Sequence, residues 1–347
     1  MVHLWLRAEE RPDEARTGLM PEGAAELIAR GFRITVEESP TRAVPLQPYL
    51  DAGCAAAPAG SWRTAPPEAI VFGLKELPEE AVPLVHRHIL FGHAYKGQPA
   101  GQRLLARLRE GGGVLYDLEA LTDADGRRVA AFGYWAGYVG AAVALKAWAA
   151  QVQGRICGAL QVAPSRAVMR ARLIHDIGDV LRPDALVVGA KGRTGRGAAD
   201  LLAEMQVRMT LWDKDETAHG GPFPEVLGHE LFVNCILAAP GCPVLVPADA
   251  REAPRRLRVI ADIACDPAAA YSPIRVNDRL TGPTRPARRL HDAPPLDVVA
   301  IDNLPALLPL ESSRDFAAQL LPHLVTLGRI DTGVWARARA AFEHHAP

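Results

Sequence analysis

ALVVGAKGRTGRGAADLLAE, residues 185–204, decides the fold. Its opening run, Ala185 to Val188, is continuously apolar, the pattern of a strand buried on both faces of a parallel sheet. Glycines follow at Gly189, Gly192 and Gly195, spaced G-x-x-G-x-x-G, with a fourth at Gly197. The spacing predicts a turn through these glycines and a helix beginning with Ala198 and Leu201. Such a turn lets backbone approach a pyrophosphate, whose charge is held by amide groups at the helix N-terminus. The next apolar run closes on Leu211-Trp212-Asp213, about twenty residues on, where an acid meets a ribose diol. A carboxylate there repels a 2′-phosphate, which favours NAD over NADP, although Arg193, Arg196 and Lys214 stand nearby. The blander alternative is a tight turn beside a solvated aspartate.

Further strands are expected at 207–213, 230–235, 257–262 and 297–301. Residues 133–153 read as a long buried helix, with Trp135 and Trp148 in the core, and 166–180 as a second helix ended by Arg182-Pro183. Towards the N-terminus the chain alternates likewise. Strands are expected at 3–7, 32–37, 69–74, 88–92 and 114–116. Helices are expected from Pro21, closed by Gly31, and over 101–109. Strand–helix alternation argues for an α/β architecture. The expected domains are 1–131 plus 312–347, and 132–311.

The chain has 347 residues, 23% of them charged, with a net charge of −1. That balance argues against a nucleic-acid or membrane surface; the short basic run TRPARR, 284–289, reads as a solvated loop. The start, MVHLWLRAEE, has too short an apolar run for a signal peptide. The Ala-rich stretch 134–152 is interrupted by Lys146 and Gln151. Five cysteines without CxxC spacing fit free thiols in a reducing cytoplasm. VFGLKE, 71–76, and ILFGHAYK, 89–96, each run from apolar residues into charged ones, as strand ends carrying chemistry do. Taken alone, Lys75 and Glu76 read more readily as a surface ion pair at a strand end. His86, His88 and His93 lack a fourth ligand nearby, so no metal is expected.

Ordered motifs then carry a resemblance. LRAEERPDEAR (6–16), PAGSW (58–62), GLKELP (73–78), FGHAYKGQ (91–98), YDLE (116–119), GRRVAAFG (126–133), WDKDET (212–217), GGPF (220–223) and IDNLPALLP (301–309) together resemble the NAD-dependent, lysine-forming saccharopine dehydrogenases. The resemblance implies two Rossmann-like domains with parallel sheets flanking a cleft, the C-terminal residues returning to the first. It implies oxidative cleavage of saccharopine to lysine and 2-oxoglutarate, with Lys75 and His93 as the catalytic pair. Arg16, Lys96, Arg128 and Phe132 fall at substrate-contact positions, and Glu76 and Glu119 at the acidic neighbours of the pair. Gly189, Gly192, Arg193, Gly195, Asp213, Thr217, Leu237, Ile263 and the run Ile301, Asp302, Asn303 and Leu304 fall at NAD-binding positions. Thr194 stands where the family commonly has cysteine, which rules out a disulfide from there to Cys235. Ala190-Lys191, Leu237 and Asn303 also depart from the usual residues.

The chemistry fits those residue types. Oxidising a secondary amine needs the amine neutral, so a base must take its proton. Lys75 can do so if burial lowers its pKa against the opposing pull of Glu76 and Glu119. His93 suits proton shuttling as the imine is hydrolysed. Arg16 and Arg128 can each grip a substrate carboxylate through paired hydrogen bonds, with Lys96 as a point charge. The alternatives are a sibling amino-acid or opine dehydrogenase, alanine dehydrogenase-like, or a non-catalytic NAD-binding sensor. The expected partners are small molecules, saccharopine or lysine with 2-oxoglutarate, acting on a monomer or small homo-oligomer.

Overall fold

The computed structural model describes residues 1–346. Backbone contacts divide the chain into two units, one formed by Met1–Ala131 with the chain from Pro309 onward, the other by Phe132–Leu308.

In the first unit six strands form one sheet: β1 (His3–Leu6), β2 (Arg33–Glu37), β3 (Ala55–Ala57), β4 (Ile70–Phe72), β5 (Arg87–Leu90) and β6 (Val114–Asp117). Their spatial order is β3-β2-β1-β4-β5-β6, and every neighbouring pair is parallel. The chain reverses direction across the sheet between β1 and β4. Crevices form at such switch points, beyond the carboxyl ends of the strands. Helices α1 (Pro21–Ala29), α2 (Gln47–Asp51) and α3 (Pro99–Gly111) lie between the strands in sequence. Proline opens both α1 and α3, and Gly112, in the left-handed region, follows α3.

The second unit begins with the long helix α4 (Gly133–Val152), followed by α5 (Arg166–Ile177). Helix α5 stops three residues earlier than the sequence suggests, because Gly178 takes a positive φ of 62°. Strands β7 (Asp184–Val188), β8 (Arg208–Trp212), β9 (Leu231–Asn234), β10 (Val259–Asp262), β11 (Arg288–Asp292) and β12 (Pro295–Val299) form the second sheet. The order is β11-β12-β10-β9-β7-β8, parallel except for the β11–β12 pair. Its interior strands are almost wholly apolar and buried, as double coverage requires.

Helix α6 (Arg193–Glu204) corrects the expected start at Ala198 by five residues. Gly195 and Gly197 are therefore helical, and their role is close packing. A Cβ on Gly195 would lie 2.2 Å from the Gly189 carbonyl oxygen, and one on Gly197 only 1.9 Å from that of Tyr134 in α4. The opposing Gly137 is equally constrained, with 1.8 Å to the Thr194 oxygen. Short helices α7 (Lys214–Thr217) and α8 (Pro224–Gly228) complete the unit, while α9 (Pro309–Leu324) and α10 (Gly333–His345) belong to the first.

Candidate active site

In the first unit the parallel register brings successive strand ends to one edge of the sheet. Lys75 lies just past β4, His93 just past β5, and Glu119 just past β6. Each side chain has its own surroundings.

The backbone leading to Lys75 is clamped by two residues from the segment after β1. Glu9 accepts the amides of Leu74 (2.7 Å) and Lys75 (3.0 Å), and Arg7 donates to the Lys75 carbonyl. Arg7 and Glu9 pair with each other at 3.4 Å, both nearly out of solvent. Arg7 reaches this position only because residue 73 is glycine: a Cβ there would stand 2.3 Å from its Nε. Burial pulls the Lys75 amine below its usual pKa, and the Arg16 charge adds to this, while Glu14 and Glu76 oppose it. Glu14, rather than the expected Glu119, thus partners Glu76 in this balance.

Arg16 is buried and held by Glu14 through two parallel bonds, Nε to Oε1 at 2.8 Å and Nη2 to Oε2 at 2.6 Å. Burial alone would push the Glu14 carboxyl up; Arg16 more than offsets that, and its pKa falls below the usual value. Two donors expected to grip substrate therefore anchor the guanidinium instead.

His93 stands between two carboxylates. Its Nε2 is 3.4 Å from Glu76 and its Nδ1 3.6 Å from Glu119, with the Phe91 ring stacked alongside. Glu119 raises the imidazole pKa, against burial and the Lys75 charge. The same pairing drives Glu119 down to about 2, helped by Lys96, 3.7 Å away, and by Arg128. Arg128 bridges back to Thr122 in a short antiparallel contact, and Phe132 directly precedes α4 in the second unit. His86 bonds the Ala65 carbonyl and His88 is wholly buried, so neither joins His93.

Sequence reasoning did not find Arg7, Glu9, Glu14 or Asp117. Arg7, Glu9 and Glu14 sit within the LRAEERPDEAR motif and Asp117 within YDLE, the signals that could have flagged them.

In the second unit the strand ends again share an edge. Gly189 has a φ of 83°, and its missing Cβ would meet Ile236 and the Cys235 backbone. Gly192 caps α6 and offers no side-chain acceptor to the first amides of that helix. Arg193 and Thr194 open the helix. Asp213 follows β8, its Oδ2 accepting the Lys191 amide and its Oδ1 the Lys214 amide, both at 2.9 Å. A carboxylate oxygen has lone pairs for more than one donor, so a ribose hydroxyl can add to each. Thr217 turns its hydroxyl to the Asp213 carbonyl at 3.1 Å. Leu237 beyond β9 is largely exposed, whereas Ile263 beyond β10 and Ile301 and Leu304 beyond β12 are buried. Asp302 accepts the amide of Asn303, which takes a left-handed φ of 63°. Cys235 is unpaired. Glycine at the turn and an oriented acid at the next strand end fit a dinucleotide.

Comparison with known proteins agrees with this arrangement. Residues 5–139 match the family model "Alanine dehydrogenase/PNT, N-terminal domain". A saccharopine dehydrogenase [NAD(+), L-lysine-forming] of Schizosaccharomyces pombe is 40% identical over 358 residues, covering 98% of this chain and 97% of the relative. That of Candida glabrata is 40% identical over 362 residues, with 99% and 97% covered. Among solved structures, an L-alanine dehydrogenase superposes with a TM-score of 0.69 at 17% identity, over 99% of this chain and 94% of its own. At that identity the likeness shows the fold alone.

Proposed function

We infer that this chain, which belongs to the NAD-dependent, lysine-forming saccharopine dehydrogenase family, is an oxidoreductase that cleaves saccharopine reversibly to lysine and 2-oxoglutarate with reduction of NAD. The observation that carries the site assignment is the placement of His93 between two carboxylates, 3.4 Å from Glu76 and 3.6 Å from Glu119, past the strand next to the one that leads to Lys75.

Lys75 in its neutral form takes the proton of the substrate's secondary amine. The bound NAD supplies the hydride acceptor for the glutaryl carbon attached to that nitrogen. A carbon–nitrogen double bond results, the substrate losing one hydride and one proton. His93 then directs water: it removes a proton as water adds to the imine carbon, and returns one to nitrogen as the carbinolamine collapses. As the carbon–nitrogen bond breaks, the carbinolamine hydroxyl gives its proton to His93, so that lysine leaves as the amine and 2-oxoglutarate as the ketone. Lys96 and Arg128, beside Glu119, supply cationic contacts for the substrate's carboxylates, and Arg16, oriented by Glu14, supplies another. Phe132 we assign as an apolar contact to the substrate.

Gly189, Gly192, Arg193 and Gly195 hold the pyrophosphate in our reading. Asp213 and Thr217 hold the adenosine ribose, and Leu237, Ile263 and the segment from Ile301 to Leu304 hold the remainder. The unpaired cysteines support a cytoplasmic location.

The test is oxidation of NADH by purified protein with 2-oxoglutarate and a panel of amines, followed by nicotinamide absorbance. Lysine-dependent turnover is expected. Turnover with pyruvate and ammonia in its place would refute the substrate assignment.

A further inference from the structure

His93 has a φ of 47°, a left-handed conformation uncommon for a residue with a side chain. Such a backbone persists only where neighbours hold it. The residue before it, Gly92, donates its amide to Asp117 Oδ2 at 3.2 Å. The other oxygen, Oδ1, accepts the amide of Glu119 at 2.8 Å. Asp117 ends β6 and has no solvent exposure. A single buried carboxylate therefore ties together the two strand exits that carry an imidazole and its anionic partner.

We propose that Asp117 is the positioning residue that couples His93 to Glu119, fixing the geometry of the acid–base imidazole. The inference rests on the reading of His93 as the acid–base group. Asp117 touches no reacting atom and acts through its two amide anchors and its charge.

His93 and Tyr95 face Asp117 from the segment after β5, and Glu119 from its own strand exit. His93 in turn faces Glu76 and Lys75 from the segment after β4, while Glu119 faces Lys96 and Arg128. Burial first, and Glu119 next among the charges, push the Asp117 acid up to about 6, and the His93 charge pulls it back. Coupling is reciprocal, so the Asp117 carboxylate favours the protonated imidazole by the same amount. As Asp117 takes up a proton, the charge and both anchors weaken together.

Asp117→Asn keeps the shape, removes the charge and replaces one acceptor oxygen by a donor, so that one amide anchor is lost. Ring titration of His93 by NMR, its signal assigned with His93→Gln, is expected to move down by roughly half a unit or more. Turnover is expected to fall about ten- to hundredfold, since small misplacements of acid–base groups cost that much. NAD affinity stays unchanged. A folded variant whose His93 midpoint lies within about 0.2 unit of the parent overturns the proposal. Should the variant not fold, the unaltered protein decides. The amide protons of Gly92 and Glu119 are expected to shift with pH together with the His93 ring between about pH 4 and pH 8, and flat amide shifts overturn the proposal. A parent enzyme inactive on saccharopine would refute the substrate reading while leaving these titrations to judge Asp117.

Discussion

Lys75 and His93 begin far apart in acidity, about 10.4 and 6.5 in the free side chains. The structure draws them together, the amine down through burial and the imidazole up through Glu119. In the oxidative direction the lysine must be neutral, so turnover rises with pH through a Lys75 pKa that lies below its usual value. Lys75→Met is expected to abolish that limb and to reduce kcat/KM by about 10²–10⁴. A profile that keeps the parent's pH dependence would remove Lys75 from the mechanism. Glu119 gives a second prediction with a definite sign. Its pKa drops from 4.5 to about 2 on folding, so the folded state binds fewer protons than the unfolded one between those values. The resulting stability is fully present above about pH 4.5 and is lost as pH falls through 2. In Glu119→Gln the Tm measured by circular dichroism is expected to fall less steeply across that window, and the His93 midpoint to move down.

At the scale of elements, the glycines after β7 combine two jobs that look alike in the sequence. Gly189 serves the turn, where a positive φ is required; Gly195 lets the first turn of α6 pack on that turn, and Gly197 serves the contact between α4 and α6. G-x-x-G spacing is visible in the chain, but where the helix starts depends on α4, some sixty residues upstream in sequence, leaving no room for a Cβ. That is why the start was misplaced at Ala198. For similar reasons β3, three alanines long, and β11, rich in arginine, carry no alternation that periodicity could detect. Gly197→Ala puts a methyl group where 1.9 Å is available, and overpacking of this kind costs about 1–3 kcal/mol. Urea unfolding should show that loss with an unchanged m value. Because α6 also carries Gly192 and Arg193 at its start, NAD affinity should drop with it. Unaltered stability would mean that the two helices adjust at no cost.

Both sheets repeat one device, parallel strands whose carboxyl ends carry the candidate site residues. This much was legible: the apolar runs in VFGLKE and FGHAYK place Lys75 and His93 just past strand ends and the run to Trp212 places Asp213 past another, while the roles proposed for the first two come from the ordered motifs. The supporting groups were not, since Glu9 meets Leu74 and Asp117 meets Gly92 only after the sheet has assembled. In the proposed reading, the division of the chain into Met1–Ala131 with the C-terminal helices, and Phe132–Leu308, assigns each task its own unit. Nucleotide binding should then be separable from catalysis. A ligand that binds only the folded state stabilises it by about 2.7 kcal/mol at a hundredfold excess over its Kd. NAD is accordingly expected to raise the Tm of the parent protein, of Lys75→Met and of His93→Gln by similar amounts, although both variants are expected to turn over far more slowly. Asp213→Ala, by contrast, loses the oriented carboxylate, and its NAD-dependent shift should shrink at equal concentration. Thermal melts with and without NAD measure all four. Loss of the shift in Lys75→Met, or its retention in Asp213→Ala, would show that the two tasks are not divided between the sheets in this way.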